Sequence, residues 1–121
     1  KINCKSGYEV FSHGGTKETN LDVVDWAKQC TEFGAGEILL TSMDNDGTKK
    51  GFNIDLTNKV AKSIKVPVIA SGGVGELKHF TEGARDTEAS GLLAASVFHF
   101  GKFTINEVKQ ELNKNGVAVR L

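Results

Sequence analysis

Three short, mostly apolar stretches of the chain end in small polar residues and glycines. They cover residues 37–42, 66–73 and 91–98. Nearly continuous apolar runs are typical of strands that are covered on both faces, as in parallel sheets packed between helices. Backbone N–H groups at glycine-rich strand ends can bind an anion without lysine or arginine. Because the design repeats, it predicts a ligand-binding surface and not a single loop.

Apolar residues at helical spacing fill the segments between these strands. Leu56, Val60 and Ile64, for example, recur every four residues and predict one buried helix face. Side chains that accept hydrogen bonds from free helix N–H groups mark the predicted helix starts. The predicted helices cover residues 21–33 after the cap Asn20, a segment beginning at the cap Asn53, residues 76–86, the short stretch 96–100, and a last helix from the capping box of Thr104 and Glu107 to about residue 115.

The amino-terminal part of the chain predicts a hairpin. Residues 8–13 form a short, exposed strand bounded by glycines, and its partner strand is expected upstream or in residues 1–4. The predicted order is therefore a hairpin followed by alternating helices and strands. Such βα units form parallel sheets with right-handed crossovers.

Three parallel strands leave two open sheet edges, which a closed barrel would remove. A (β/α)8 barrel needs about 250 residues, whereas this chain has 121 residues. No linker divides it, so residues 1–121 are predicted to form a single α/β domain. The simplest interpretation is half of a barrel, completed by upstream sequence or by a second copy of the chain.

Composition excludes some classes of function. Lys and Arg together number 15, as do Asp and Glu, so no long-range attraction toward nucleic acid or an anionic membrane is expected. No apolar run approaches the roughly 20 residues that span a bilayer. Cys4 and Cys30 are isolated, which predicts reduced thiols in a cytoplasmic protein, with one disulfide between them as the alternative. Neither a metal nor a cofactor is predicted.

The ends of the second and third strands are the strongest candidate site. Barrels commonly hold a phosphate between the loops after strands 7 and 8 and a short extra helix. The glycine pair that ends in Gly73, followed one βα unit later by Ala95 and Ser96, fits this arrangement. Asp44 and Asp46 lack the spacing of an EF-hand calcium loop. They predict either a turn or a contact to a sugar hydroxyl.

Two further charged or titratable residues have alternative interpretations. Glu37 begins a strand and predicts either a surface salt bridge or a member of a charged ring at a barrel mouth. His79 lies on a predicted helix and is expected to be solvated. The serines at the strand ends lack any sign of a histidine partner or a nucleophile elbow, so a serine hydrolase is not expected.

Residues 34–42, 44–48, 69–73 and 93–99 together resemble the cyclase subunit of imidazole glycerol phosphate synthase, an enzyme of histidine biosynthesis. The resemblance covers essentially the whole chain and matches the carboxyl-terminal half of that (β/α)8 barrel, strands 6 to 8 with the hairpin after strand 5. It implies a lyase that uses glutamine-derived ammonia. The complete barrel would convert phosphoribulosyl-formimino-AICAR ribotide to imidazole glycerol phosphate and AICAR.

The resemblance also implies roles for single residues. Thr41 and Ser71 match substrate-facing positions, and Glu37 matches the charged ring through which ammonia is thought to pass. The two aspartates that act as general acid and base in the family would lie before Lys1, so no catalytic residue is expected in this sequence. The residues that match phosphate contacts are Asp46, Gly47, Gly73, Ala95 and Ser96.

The implied partners are the phosphorylated ribotide, the glutaminase subunit of the same synthase, and an amino-terminal half-barrel or a second copy. Two alternatives remain open. The chain is a self-associating half-barrel module without activity, or it belongs to the sibling ribotide isomerase of the pathway. By resemblance, Glu37 and the long loop of residues 44–52 favour the cyclase.

Overall fold

The structure is a computed structural model, and it describes residues 4–121. Strands and helices alternate along most of the chain, which confirms the predicted α/β class. The arrangement is consistent with part of a barrel. In chain order the elements are β1 (Glu9–Ser12), β2 (Lys17–Asp22), α1 (Val23–Glu32), β3 (Ile38–Thr41), α2 (Ile54–Ala61), β4 (Val68–Ser71), α3 (Leu77–Asp86), β5 (Gly91–Leu93), α4 (Ser96–His99) and α5 (Ile105–Lys114).

The three predicted strands form one parallel sheet in the order β3-β4-β5. Paired residues share a face, so Leu40 lies beside Ala70, and Ala70 beside Leu92. Leu40 and Ala70 are buried at 8% and 0% exposure. On the opposite face, Leu39 is 57% and Leu93 is 39% exposed. The sequence predicted cover on both faces, whereas residues 4–121 cover only one, because every helix packs on the same side.

Two clusters of buried side chains hold the helices on the covered face. Leu56 and Val60 of α2, which the helical spacing predicted, pack with Leu40 and Val68. A second cluster joins Phe80 of α3 to side chains from the sheet, from α4 and from α5. The two clusters together fix α2 and α3 against the sheet, which places the loops at the carboxyl ends of the strands.

The hairpin partner differs from the prediction. The second strand is β2, which follows β1 and pairs with it in antiparallel register, Phe11 opposite Glu18. The turn between them has a positive φ at His13, Gly14 and Gly15, which glycine adopts at little cost. Strand β2 is polar and lacks an apolar run, which is why its sequence did not predict a strand. Residues 1–3, part of the expected partner, lie outside the described residues.

Helix α1 begins two residues later than predicted. Its N-cap is Asp22, and the expected cap Asn20 lies in β2 with φ 60°. The Oδ2 atom of Asp22 accepts hydrogen bonds from the amides of Val24 (3.0 Å) and Asp25 (3.2 Å). Its Oδ1 atom accepts from the amide of Ser6 at 2.7 Å. A carboxylate thus caps the helix and anchors the amino-terminal segment at once, which the single oxygen of Asn20 would not do.

Replacing Asp22 with alanine should destabilise the chain by about 1–2 kcal/mol near pH 7, since the helix loses its cap. Partial burial acts to raise the pKa of Asp22, but hydrogen bonds from Ser6, Asp25 and Val24 outweigh burial and lower that pKa below its usual value. The stabilisation from the carboxylate is therefore complete above the unfolded-state pKa of about 3.9. It disappears as the pH falls through the folded-state pKa.

Thermal unfolding of the wild type, Asp22→Ala, Asp22→Asn and the control Asp25→Asn measures these effects, with each protein followed at pH 7 and at about pH 3. The deficit of Asp22→Asn should shrink at the lower pH, because the carboxyl group of the unfolded wild type then binds a proton and part of the stabilisation is lost. An equal deficit at both pH values would contradict the assignment of the charged form as the stabilising one.

Both cysteines, Cys4 and Cys30, are free thiols, so the alternative of a disulfide between them is not formed. Each is partly buried. Among the helices of residues 4–121, none has the length and apolar character that crossing a bilayer requires.

Candidate functional site

The carboxyl ends of β3, β4 and β5 lie side by side, and a loop leaves each of them there. The sheet register places Thr41 beside Ser71, and Ser71 beside Leu93. The two residues predicted to face a substrate are therefore neighbours on the uncovered face of the sheet. Thr41 is exposed and Ser71 is half-buried. Two adjacent hydroxyls can donate to and accept from a sugar or a phosphate group.

Two glycines let the loop after β4 pack directly on the loop after β3. Gly72 and Gly73 have φ values of +103° and +106°. A Cβ at Gly72 would lie 2.6 Å from the carbonyl oxygen of Ser42, and a Cβ at Gly73 would lie 2.0 Å from that of Gly51. The amide of Gly51 also donates a hydrogen bond to the carbonyl of Gly73 at 2.7 Å. The glycines thus serve a backbone-to-backbone contact as well as a tight turn.

Asn45 ties together the two ends of the loop after β3. Its Oδ1 atom accepts a hydrogen bond from the Ser42 hydroxyl at 2.9 Å, and its Nδ2 group donates to the carbonyl of Gly51 at 3.0 Å. Ser42 is 6% exposed, so its hydroxyl is used inside the protein. The sequence did not predict this role for Asn45. The available signal was a serine three residues before an asparagine, a spacing typical of local side-chain turns.

Three backbone N–H groups that follow the ends of β4 and β5 lack protein acceptors in the described part of the chain. Within residues 4–121, the N–H groups of Gly73, Ala95 and Ser96 donate no hydrogen bond to the protein. Gly73 is buried, and a buried N–H group is costly unless an acceptor satisfies it. Helix α4 adds the positive end of its dipole beside the same strand end. This arrangement is suited to an oxyanion.

The other predicted phosphate contacts, Asp46 and Gly47, lie in the turn that follows β3. The amide of Asp46 donates to the carbonyl of Ser42 at 2.9 Å, so it does not join the group of unused amides. Gly47 has φ +80° and open space around it. Both residues are exposed. Their contact with phosphate stays a prediction. The Asp46 carboxylate can only accept hydrogen bonds and repels an anion, so Asp46 would act by ordering the loop.

Lys102, for which the sequence predicted no role, connects the loop after β4 to helix α4. The ammonium group of Lys102 donates a hydrogen bond to the carbonyl of Gly75 in the loop after β4. The Lys102 amide donates to the carbonyl of Val97 in α4 at 2.8 Å. The expected anion site was made of backbone amides alone, whereas the structure adds a cation beside it. The sequence did not predict a role for Lys102 because this residue follows α4 and does not lie at the end of a strand.

His79 is buried at 3% exposure, which makes the prediction of a solvated side chain wrong. Its Nδ1 atom accepts hydrogen bonds from the amides of Gly75 (3.0 Å) and Glu76 (3.1 Å). The third helical residue of α3 can reach back to the cap in this way, as in a capping box. The position of His79 on a predicted helix suggested solvent exposure, but the loop carrying Gly51 covers the ring.

A groove of about 750 Å³ lies between β1, α1 and β3. Val10, Trp26 and Leu39 are among the residues that make much of its wall apolar. Glu37 also lines it, next to the amino end of β3 and thus at the end of the strand opposite Thr41. Glu37 is exposed and forms no ion pair with any residue from 4 to 121. The salt bridge expected as one alternative is not formed in this part of the chain.

No group of three or more His, Cys, Asp or Glu side chains in residues 4–121 is arranged to hold a metal ion. His99 is exposed and stacks edge-on against Phe100, with ring centroids 4.9 Å apart. The site therefore consists of hydroxyls, backbone amides and one lysine, a set suited to binding phosphorylated molecules.

A comparison with known families identifies the family of this chain. The model of a family described as "Histidine biosynthesis protein" matches residues 1–104. The matched segment includes the sheet, the three loops at its carboxyl end and α4. Most of the chain is thus covered by a single family match.

Proposed function

The chain belongs to the histidine biosynthesis protein family, and we propose that within this family it forms the carboxyl-terminal half of the cyclase barrel of imidazole glycerol phosphate synthase. In this proposal it binds one phosphate of the ribotide substrate. The amides of Gly73, Ala95 and Ser96 hold the phosphate oxygens, and Asp46 and Gly47 complete the site from the neighbouring loop.

One observation carries the proposal: the unused N–H groups of Gly73 and Ser96 lie at the ends of two adjacent strands. Neighbouring strands are about 4.8 Å apart, a spacing that a phosphate group can bridge. Backbone amides and a helix dipole together favour a doubly charged anion. The ammonium group of Lys102, bound to Gly75, adds positive charge to the same end of the sheet.

Further roles follow from the placement of single residues. The hydroxyls of Thr41 and Ser71 would contact the ribotide beside its phosphate. Glu37, at the opposite end of β3, would belong to the charged ring that admits ammonia from the glutaminase subunit. No pair of carboxylates in the proposed site corresponds to the family's acid and base. We therefore expect the chain to need an amino-terminal half-barrel, or another partner, for turnover.

Titration with inorganic phosphate at constant ionic strength, followed by amide shifts of the ¹⁵N-labelled chain, tests this site. We expect saturable shifts at Gly73, Ala95 and Ser96. The Ser96 hydroxyl would add one hydrogen bond to the phosphate beside its amide, so Ser96→Ala should weaken phosphate binding about 3- to 10-fold. Ser90→Ala removes a hydroxyl at the other end of β5 and should bind phosphate like the wild type. Shifts confined to surface lysines, or none at these amides, would refute the phosphate site.

A second experiment separates the cyclase from the sibling isomerase, which also acts on a ribotide with two phosphates. The chain is mixed with the amino-terminal half of a cyclase barrel or of an isomerase barrel, and each mixture is assayed for its own reaction. Formation of imidazole glycerol phosphate with ammonium would support the cyclase. Isomerase activity alone would favour the sibling, and turnover by the chain without a partner near that of a full barrel would contradict the need for a second half.

A further inference from the structure

His79 lies directly beneath the loop that carries the proposed phosphate site. It occupies the third position of α3, and its ring is 3% exposed. We infer that His79 is a positioning residue that holds the loop of residues 72–76 in its anion-binding conformation. This inference rests on the proposed function for its phosphate part, and it assigns His79 no contact with the substrate.

The hydrogen bonds of His79 define which ring nitrogen carries hydrogen. Two backbone N–H groups, those of Gly75 and Glu76, point at Nδ1 from 3.0 Å and 3.1 Å. An N–H group can only donate to a nitrogen that has a free lone pair. Nδ1 is therefore the acceptor, and the ring hydrogen lies on Nε2, the assignment that the hydrogen-bond network requires. The neutral ring is the form that satisfies both amides.

Val74 anchors the loop through its side chain, which is buried in the second core cluster, but few groups hold the amides of the loop. Three of its five residues are glycines, Gly72, Gly73 and Gly75, and glycine loses more backbone freedom on ordering than any other residue. Within the described chain, the side-chain acceptor for N–H groups of this loop is the ring of His79. Two carbonyl groups of the loop have other partners. The amide of Gly51 donates to the carbonyl of Gly73, and Lys102 donates to that of Gly75.

The ring of His79 also supports the neighbouring loop. A Cβ built at Gly51 would lie 3.3 Å from Cδ2 and 3.6 Å from Nε2 of His79. The ring thus packs against Gly51, whose amide binds the carbonyl of Gly73. One imidazole therefore contacts both loops, one at Gly51 and the other at Gly75 and Glu76. Truncating it should release the Gly73 amide from its position even if the fold survives.

Three variants test the inference with inorganic phosphate as the probe. His79→Ala removes the acceptor, and we expect at least about tenfold weaker phosphate binding and faster hydrogen exchange at the amides of Gly75 and Glu76. His79→Asn places an oxygen on Cγ, where Nδ1 stood, and should restore binding to within about threefold of the wild type. Ala84→Gly destabilises the same helix without touching the loop and should leave phosphate affinity unchanged.

The long-range ¹H–¹⁵N spectrum of the ring supplies a signature that general destabilisation would not move. It should report an unprotonated Nδ1 and a protonated Nε2. Each of three results would overturn the inference. They are a protonated Nδ1, a phosphate affinity of His79→Ala equal to that of the wild type, and phosphate binding weakened equally in Ala84→Gly and His79→Ala. If the wild type itself binds no phosphate, the proposed function fails, whereas the exchange and tautomer measurements still decide whether His79 holds the loop.

Discussion

Gly73→Ala should abolish phosphate binding and destabilise the chain by about 3 kcal/mol or more, the sum of backbone strain and overpacking. The new methyl group would lie 2.0 Å from the carbonyl oxygen and 2.8 Å from the carbonyl carbon of Gly51. Both atoms belong to the backbone, so no side chain can rotate away to make room. The φ of +106° adds strain for any residue with a Cβ. Urea unfolding and phosphate titration measure the two effects.

Gly34→Ala is the matched control for this prediction. Gly34 has nearly the same φ, +104°, but nothing lies within 4 Å of a Cβ built there. It follows α1, away from the three loops. Gly34→Ala therefore measures the cost of strain alone, and the difference between the two variants measures the contact of Gly73 with Gly51. Equal costs, with phosphate binding retained in both, would mean that the two loops do not touch in solution.

Phe80→Ala should destabilise the chain by about 3–5 kcal/mol, the usual cost of truncating a buried aromatic side chain. Phe80 is 2% exposed. Its ring centroid lies 6.4 Å from that of Phe52 in edge-to-face contact and 5.8 Å from that of Phe98. Because Phe98 belongs to α4, the cavity would also loosen the helix beside Ser96. We expect weaker phosphate binding together with the lower free energy of unfolding.

Phe33→Ala provides the control with the same chemical change on the surface. Phe33 is 79% exposed, and exposed substitutions usually change stability by less than about 0.5 kcal/mol. Chemical denaturation of both variants gives the comparison. Similar losses at Phe80 and Phe33 would argue against the aromatic cluster as the centre of the second core.

The elements that the sequence predicted well are those whose signals lie within a few residues. Leu56 and Val60 recur at helical spacing and are buried as predicted. Thr104 and Glu107 form the predicted capping box at the start of α5. The apolar runs gave three parallel strands because β-branched and leucine side chains suit a buried pleated surface. Such signals depend on near neighbours along the chain and need no knowledge of distant contacts.

The elements that differed from prediction depend on distant partners. Asp22 caps α1 because the amide and hydroxyl of Ser6 also bind its carboxylate. Strand β2 forms because β1 pairs with it, despite its polar sequence. His79 is buried because Gly51, far away in sequence, lies over its ring. In each case a local pattern allowed two outcomes, and a contact across the fold selected one.

The candidate site divides in the same way. Its residue types and their positions at strand ends, such as Gly73, Ser96 and the pair Thr41 and Ser71, could be read from the order of amino acids, since strand ends follow from local patterning. The packing of the loop after β3 on the loop after β4 decides two further features of the site. It decides which backbone amides lack a protein acceptor and which side chains support the loops. That packing depends on the absence of a Cβ at close range, a property of the folded backbone that no neighbouring residue encodes.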